Sequence, residues 1–160
     1  AEKRMIQRNP PISEVSSEAE TPGKDRALLI GYGPVGLAVH RVLEESGLDI
    51  VIIDMNLETV RILREKGKQA IFGDASNARI LEAAGVGNAN YLIVTVPDAS
   101  QRAAVVTAAR GINPEIKIAV RARYLLEREE LEQSGVNAVV FEEAEAAEAL
   151  ARVVLSGRLW

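Results

Sequence analysis

Six short apolar runs alternate with helix-like segments between residues 26 and 156, and this alternation restricts the chain to very few folds. The apolar runs predict strands at 27–30, 49–54, 68–72, 91–96, 116–122 and 138–141. The segments between and after them predict helices at 34–45, 57–66, 100–110, 125–134 and 142–156, and one more that follows a turn at 73–76 and reaches about residue 84. Strands joined by single helices run parallel, so the sequence predicts an α/β fold with a doubly wound, six-stranded parallel sheet and helices on both faces.

The two ends of the chain lie outside this alternation. Residues 1–25 show neither the helical nor the strand period of apolar residues and contain Pro10, Pro11 and Pro22, which predicts a linker or tail. The boundary of an excised domain explains these residues equally well. We therefore divide the chain into a linker at 1–25, one folded domain at 26–156 and a short tail at 157–160.

Composition excludes several classes of protein. With 19 Lys and Arg against 23 Asp and Glu, the net charge of −4 argues against a nucleic-acid-binding surface. The chain has no Cys, so disulfides and thiolate sites are excluded. No apolar run approaches the length of a membrane span, and the sequence as given predicts a soluble domain.

The first predicted strand leads into the sequence GYGPVG, whose glycines have the G-x-G-x-x-G spacing of a dinucleotide-binding turn. In such a Rossmann-like turn Gly31 permits the sharp bend, Gly33 lets the backbone approach a phosphate, and Gly36 lets helix and strand pack closely. The phosphate then lies against the N–H groups of the following helix. The alternative is a tight strand–helix connection that binds nothing.

Two acidic residues follow the next two strands. Asp54 ends the second strand, where a carboxylate accepts hydrogen bonds from ribose hydroxyls and repels a 2′-phosphate. This favours NAD(H) or an adenine mononucleotide over NADP. Asp74, in the sequence GDAS after the third strand, is placed to receive the adenine amino group. Alternatively, Asp74 or Ser76 caps the following helix.

Further polar residues follow the fourth and fifth strands on the same side of the sheet. Thr95 and Pro97 end the fourth strand, and Arg121 near the end of the fifth is placed to pair with a phosphate. Arg123 is explained almost as well as a surface residue paired with a glutamate.

Catalytic machinery is missing from the sequence. The one histidine, His40, lies inside the first predicted helix, where a packing or surface role is expected. No Ser/His/Asp or metal-binding set accompanies the turn, so we expect a binding protein that is not an enzyme and holds no metal.

The motifs taken together resemble a known family. The series GYGPVG, VIIDMN, IFGDAS, ILEAAGVGNANYLIVTVPD, IKIAVRAR and LEQSGVNAVVF is similar to the RCK or KTN (TrkA-N) regulatory domain of potassium channels and transporters, over about residues 26–141. The segment VVFEEAEAAEALARVVL is most similar to the carboxy-terminal cytoplasmic domain of Kef-type cation/proton antiporters.

This resemblance implies a cytosolic domain at the inner face of the inner membrane, where it binds AMP, NAD(H) or a similar adenine nucleotide and gates potassium/proton antiport allosterically. It also implies a homodimer attached to the membrane transport domain of the same parent chain. The helices after the fourth and fifth strands, including 123–134, are the expected dimer contact, and a solvated face is the equal alternative.

The resemblance also assigns residues to parts of the ligand. The phosphates are expected at the glycine turn and at an arginine, the ribose after the second strand, the adenine after the third, and the far wall after the fourth. The residues expected at the phosphates are Gly31, Gly33, Pro34, Val35 and Arg121. Asp54 and Met55 are expected at the ribose, Asp74 and Ala75 at the adenine, and Thr95 and Pro97 at the far wall.

Two positions depart from the Kef-type pattern. Pro34 stands where Kef-type turns often carry Arg, which removes a positive charge from the phosphate site. Tyr124 stands where those sequences often have Asp, so the resemblance does not extend to glutathione gating. A TrkA-like subunit of a potassium uptake system and a fragment of an NAD-dependent oxidoreductase are the alternative functions.

Overall fold

The computed structural model describes residues 23–157, in which six strands form one parallel sheet in the order β3-β2-β1-β4-β5-β6. The strands are β1 (Arg26–Ile30), β2 (Asp49–Asp54), β3 (Gln69–Phe72), β4 (Tyr91–Val94), β5 (Lys117–Ala122) and β6 (Ala138–Phe141). The helices are α1 (Pro34–Glu45), α2 (Leu57–Glu65), α3 (Ala78–Ala83), α4 (Ala99–Ile112), α5 (Arg128–Gln133) and α6 (Glu142–Leu155). The predicted doubly wound α/β fold is confirmed.

The sheet is covered on both faces by apolar side chains. On one face Leu29 and Ile52 pack with Val60 and Leu63 of α2, and with Val39 of α1. On the other face the strands pack against α3, α4 and α5 through a second cluster that includes Leu81, Val105 and Leu131. Helices α1 and α2 lie on one face of the sheet, and α3, α4 and α5 lie on the other. Successive strands are therefore added on one side of β1 up to β3, and on its other side from β4 onwards.

Several predicted boundaries differ from the structure, with local reasons. The fourth strand ends at Val94, two residues early, because the chain turns away towards Pro97 after the amide of Thr95 donates to the Ile30 carbonyl, 2.9 Å away. The predicted helix at 125–134 is a 3-10 turn at Leu125–Glu127 followed by the short α5. Glu127 accepts a hydrogen bond from the Tyr124 amide, which tightens this turn.

Part of the sheet has little cover among the described residues. On the face that carries α1, an open and mainly apolar cavity of about 450 Å³ lies over β4, β5 and β6, with Leu43, Ile93 and Ile118 in its lining. Helix α6 has no buried residue. No helix within residues 23–157 combines the length and the hydropathy needed to cross a bilayer. The predicted linker and the short tail lie almost entirely outside the described residues.

Candidate functional site

The glycine turn between β1 and α1 has three glycines in three different environments. Gly31 has a φ of +92°, which L side chains rarely adopt, and its amide donates to the Ile53 carbonyl at 3.0 Å. A Cβ on Gly36 would lie 2.1 Å from the Gly31 carbonyl oxygen, so only glycine allows this approach of helix to strand. A Cβ on Gly33 would meet no atom within 4 Å. The turn therefore leaves open space at Gly33, next to the first turn of α1.

The first turn of α1 offers backbone donors but no charge. Gly33 is the N-cap and makes no side-chain cap hydrogen bond, and Pro34 occupies the first helical position. The first N–H groups of a helix lack intrahelical acceptors, and Pro34 has no N–H, so the available donors begin at Val35. Val35 is 37% exposed. An anion at this place would be held by backbone N–H groups and the helix dipole.

Asp54 joins the glycine turn to the loop after β2. Its Oδ2 accepts a hydrogen bond from the Tyr32 amide at 2.7 Å, and its Oδ1 accepts one from the Asn56 amide at 2.7 Å. Each carboxylate oxygen has a second lone pair, so the group can still accept bonds from a diol. Met55, beside it, is 58% exposed, and its Sδ lies 3.1 Å from Nε2 of Gln101 at the start of α4.

The turn after β3 lies beside Asp54, since the Gly73 amide donates to the Asp54 carbonyl at 3.1 Å. Asp74 Oδ1 accepts from both the amide and the hydroxyl of Ser76, at 2.9 and 2.8 Å, and Ala75 is buried. The alternative in which Asp74 or Ser76 caps the next helix is wrong. Asn77 is the N-cap of α3, accepting from the Arg79 amide at 3.0 Å.

Thr95 is bound to the glycine turn from the other side. It is 5% exposed, and its hydroxyl lies 2.9 Å from the Ile30 carbonyl and 3.0 Å from the Gly31 carbonyl, both acceptors. Pro97 is exposed in the loop that leads to α4. Thr95 therefore fixes the glycine turn, and Pro97 lies at the rim of the candidate site.

Arg121 lies at the same edge of the sheet with its guanidinium already paired. Nη1 donates to the Thr95 carbonyl at 3.0 Å, while Nε and Nη2 pair with one carboxylate oxygen of Glu142, the first residue of α6. The other oxygen of Glu142 lies 3.8 Å from Nε of Arg123. The sequence predicted Arg121 at this edge but did not single out Glu142.

A buried ion pair between Arg102 and Glu127 contacts the backbone of Arg121. The sequence analysis did not single out this pair. Arg102 of α4 is 3% exposed; its Nη1 donates to the Arg121 carbonyl at 3.0 Å and its Nη2 to Glu127 at 2.6 Å. This hydrogen bond from Arg102 holds the pKa of the Glu127 carboxyl below its usual value. The pair connects α4, the end of β5 and the 3-10 turn.

His40 has the packing role that was expected of it. It is 4% exposed on α1, and its Nδ1 lies 2.9 Å from the hydroxyl of Tyr32, the second residue of the glycine turn. Burial lowers the pKa of His40 and raises that of Tyr32, so both are neutral at pH 7. Within residues 23–157 no group of three or more His, Asp or Glu side chains could hold a metal ion.

The predicted site residues share one edge of the sheet because each lies at the carboxyl end of a parallel strand, follows that end or begins the next helix. Their roles towards a ligand stay predictions. They are Gly31, Gly33, Pro34, Val35, Asp54, Met55, Asp74, Ala75, Thr95, Pro97 and Arg121.

Comparisons with known proteins find similar domains. The family model of the TrkA-N domain matches residues 27–142. The chain is 37% identical over 123 residues to the putative cation/proton antiporter YbaL of Escherichia coli (strain K12), a match that covers 77% of this chain and 22% of YbaL. It is 31% identical over 147 residues to the glutathione-regulated potassium-efflux system protein KefC of Enterobacter sp. (strain 638), which covers 91% of this chain and 24% of KefC. The chain thus spans about a quarter of the length of these curated relatives.

Solved structures show the same similarity. The crystal structure of the TrkA-N domain of Escherichia coli YbaL superposes with a TM-score of 0.77 at 35% identity, covering 81% of this chain and 96% of that domain. The Kef carboxy-terminal domain of Shewanella denitrificans in its AMP-bound form superposes with a TM-score of 0.72 at 25% identity, covering 82% of this chain and 80% of that one.

Proposed function

This chain belongs to the TrkA-N domain family, and we propose that it is the cytosolic regulatory domain of a monovalent-cation (potassium)/proton antiporter, which binds an adenine nucleotide and gates transport allosterically. One observation carries the proposal: the open space at Gly33 and the fixed carboxylate of Asp54 lie side by side at the carboxyl edge of the sheet. That pair of features recognises a phosphate joined to a ribose.

The ligand is AMP, NAD(H) or a closely related adenine nucleotide. Asp54 takes the ribose hydroxyls, the turn at Asp74 and Ala75 takes the adenine, and the start of α1 takes the phosphate. The AMP-bound form of the Shewanella denitrificans Kef domain supports this assignment. Pro34 contributes no charge and no N–H, so phosphate binding rests on backbone donors and Arg121.

The partners are a second copy of the chain and the membrane transport domain of the same parent chain. The relatives are about four times as long as this chain, which supports a larger parent protein at the cytoplasmic face of the inner membrane. Exposed apolar side chains after β5 support a dimer contact there, with Tyr124 47%, Leu125 39% and Leu126 87% exposed. A nucleotide shifts the transport equilibrium only as far as it binds two arrangements of the paired domains unequally.

We propose that the domain performs no catalysis. The carboxyl edge presents carboxylates that already accept hydrogen bonds and an arginine that is already paired, and His40 faces Tyr32 instead of the edge. The competing oxidoreductase function predicts oxidation of NADH with some carbonyl compound. A TrkA-like subunit predicts a free-standing gene product, whereas the antiporter predicts about a dozen membrane-spanning helices in the same reading frame as this domain.

Calorimetric titration of the purified chain with AMP, ATP, NAD+ and NADH tests the proposal. We expect binding of at least one of these nucleotides, and an affinity at least tenfold lower in an Asp54→Ala variant whose circular dichroism matches the wild type. Failure of the wild-type chain to bind any of them at millimolar concentration overturns the proposal. Turnover of NADH against a carbonyl panel overturns the absence of catalysis.

A further inference from the structure

Helix α6 is held to the domain by its first turn. No residue of the helix is buried, and the anchor before it is Phe141, which is 9% exposed. The carboxylate of Glu142 pairs with Arg121, and that of Glu143 accepts a hydrogen bond from the Leu125 amide at 2.9 Å. Polar contacts of Glu142 and Glu143, together with the packing of Ala144 against the hydrophobic core, therefore set the direction in which α6 leaves the sheet.

The arginine in this contact lies at the edge of the sheet that carries the glycine turn, where the phosphate is expected. Arg121, Glu142, Thr95 and Val35 line one open cavity of about 280 Å³ between the start of α1 and the start of α6. Thr95 connects Arg121 to the glycine turn, since its carbonyl accepts a hydrogen bond from Nη1 of Arg121 at 3.0 Å and its hydroxyl lies 3.0 Å from the Gly31 carbonyl. Arg121 and Glu142 are 23% and 34% exposed, so the pair is accessible to a ligand.

A nucleotide phosphate and Glu142 need the same edge of the guanidinium. The Nε–Nη2 edge of an arginine binds carboxylates and phosphates in the same geometry, and here Glu142 occupies that edge. Nη1 is turned to the Thr95 carbonyl. A phosphate gains the strong contact with Arg121 only when the carboxylate leaves, and the two anions repel each other while both are near.

We propose that Glu142 is an internal competitor for the nucleotide phosphate at Arg121, so that nucleotide binding releases the first turn of α6. This inference rests on the proposed nucleotide binding and names the element that responds to it. When the phosphate pairs with Arg121, Glu142 keeps only its weaker contact with Arg123, and α6 stays attached through Phe141, Glu143 and Ala144. Linkage makes the effect reciprocal: whatever frees Glu142 from Arg121 tightens nucleotide binding by the same factor.

Two measurements on three proteins test the competition. The proteins are the wild-type chain, Glu142→Gln, and the control Glu148→Gln, which makes the same chemical change on the exposed part of α6. Calorimetry gives the affinity for AMP and NAD+, and amide hydrogen exchange reports on residues 143–147. Exchange in β1 and β2 monitors whether each variant is folded.

The expected result is an affinity about five- to tenfold higher for Glu142→Gln, with Glu148→Gln like the wild type. Nucleotide should speed exchange at 143–147 in the wild type, and Glu142→Gln should show that faster exchange without nucleotide. A Glu142→Ala variant, which removes the hydrogen-bonding group as well, should agree in direction.

Two outcomes overturn the inference, and they are distinct from failure of the proposed function. If the wild type binds nucleotide but exchange at 143–147 does not change, α6 is not the responding element. If Glu142→Gln and Glu142→Ala bind no more tightly than the wild type, Glu142 does not compete with the phosphate. If the wild type binds no nucleotide, both the proposed function and the competition at Arg121 are refuted.

Discussion

Adding one methyl group at Gly36 provides the sharpest test of how the glycine turn is built. In Gly36→Ala the new Cβ would lie 2.1 Å from the Gly31 carbonyl oxygen and 3.4 Å from Oγ1 of Thr95. Real contacts of this kind essentially never fall below 3.0 Å, so α1 must move away from β1 by about 1 Å. The obstacle is backbone, which cannot rotate aside as a side chain does.

The cost follows from two opposing terms. Overpacking of this kind costs about 1–3 kcal/mol, and the absence of a flexible neighbour places Gly36→Ala at the upper end. Alanine regains up to about 1 kcal/mol in a helix relative to glycine. We expect a net loss of about 2 kcal/mol in the free energy of unfolding, measured by urea titration with circular dichroism, and weaker nucleotide binding because the helix start has moved.

Gly33→Ala is the matched control. Gly33 has φ −77° and ψ −166°, which alanine adopts, and its Cβ would meet no atom within 4 Å. The variant should lose less than about 1 kcal/mol of stability, through the poorer N-cap. It should nonetheless bind nucleotide at least tenfold more weakly, because the methyl group fills the space left for the phosphate. A Gly36→Ala protein as stable as the wild type, or a Gly33→Ala protein with full affinity, would refute this reasoning.

Three further results are expected. The carboxylate of Asp54 accepts two backbone hydrogen bonds, and Asp54→Asn would put an amide N–H₂ group against one of these N–H donors. Urea titration should show a loss of about 1–3 kcal/mol in the free energy of unfolding. No loss would mean that these hydrogen bonds contribute little to stability. Glu127→Ala leaves the buried Arg102 unpaired and should cost about 3–5 kcal/mol in the same assay, part of which Arg102→Met in the same chain should restore. Stability should fall as the pH drops below about 6.5, because burial lowers the pKa of His40 and the unfolded chain takes up the proton first. Urea midpoints between pH 7.5 and 5.5 measure this, and a His40→Gln variant, which has no histidine, should not show the fall.

The sequence determined the fold and the family. Each apolar run from β1 to β6 is followed by helical spacing, and that local pattern favours parallel strands with helical crossovers between them. The family resemblance read from GYGPVG, GDAS and the later motifs is confirmed by the match of the TrkA-N model over residues 27–142. The edge at which Asp54, Thr95 and Arg121 lie was predictable as well, because the carboxyl ends of parallel strands share one edge.

The tertiary structure decided which partner each polar side chain has. Arg121 and Glu142 are 21 residues apart in the chain, and Arg102 and Glu127 are 25 apart, so no local period brings either pair together. Asn77, not Asp74 or Ser76, caps α3, because the turn after β3 uses Asp74 to bind Ser76. Local spacing fixes strands, helices and tight turns, since their hydrogen bonds join near neighbours. The state of the candidate phosphate site depends on contacts across the sheet edge, and these exist only once the strands have assembled.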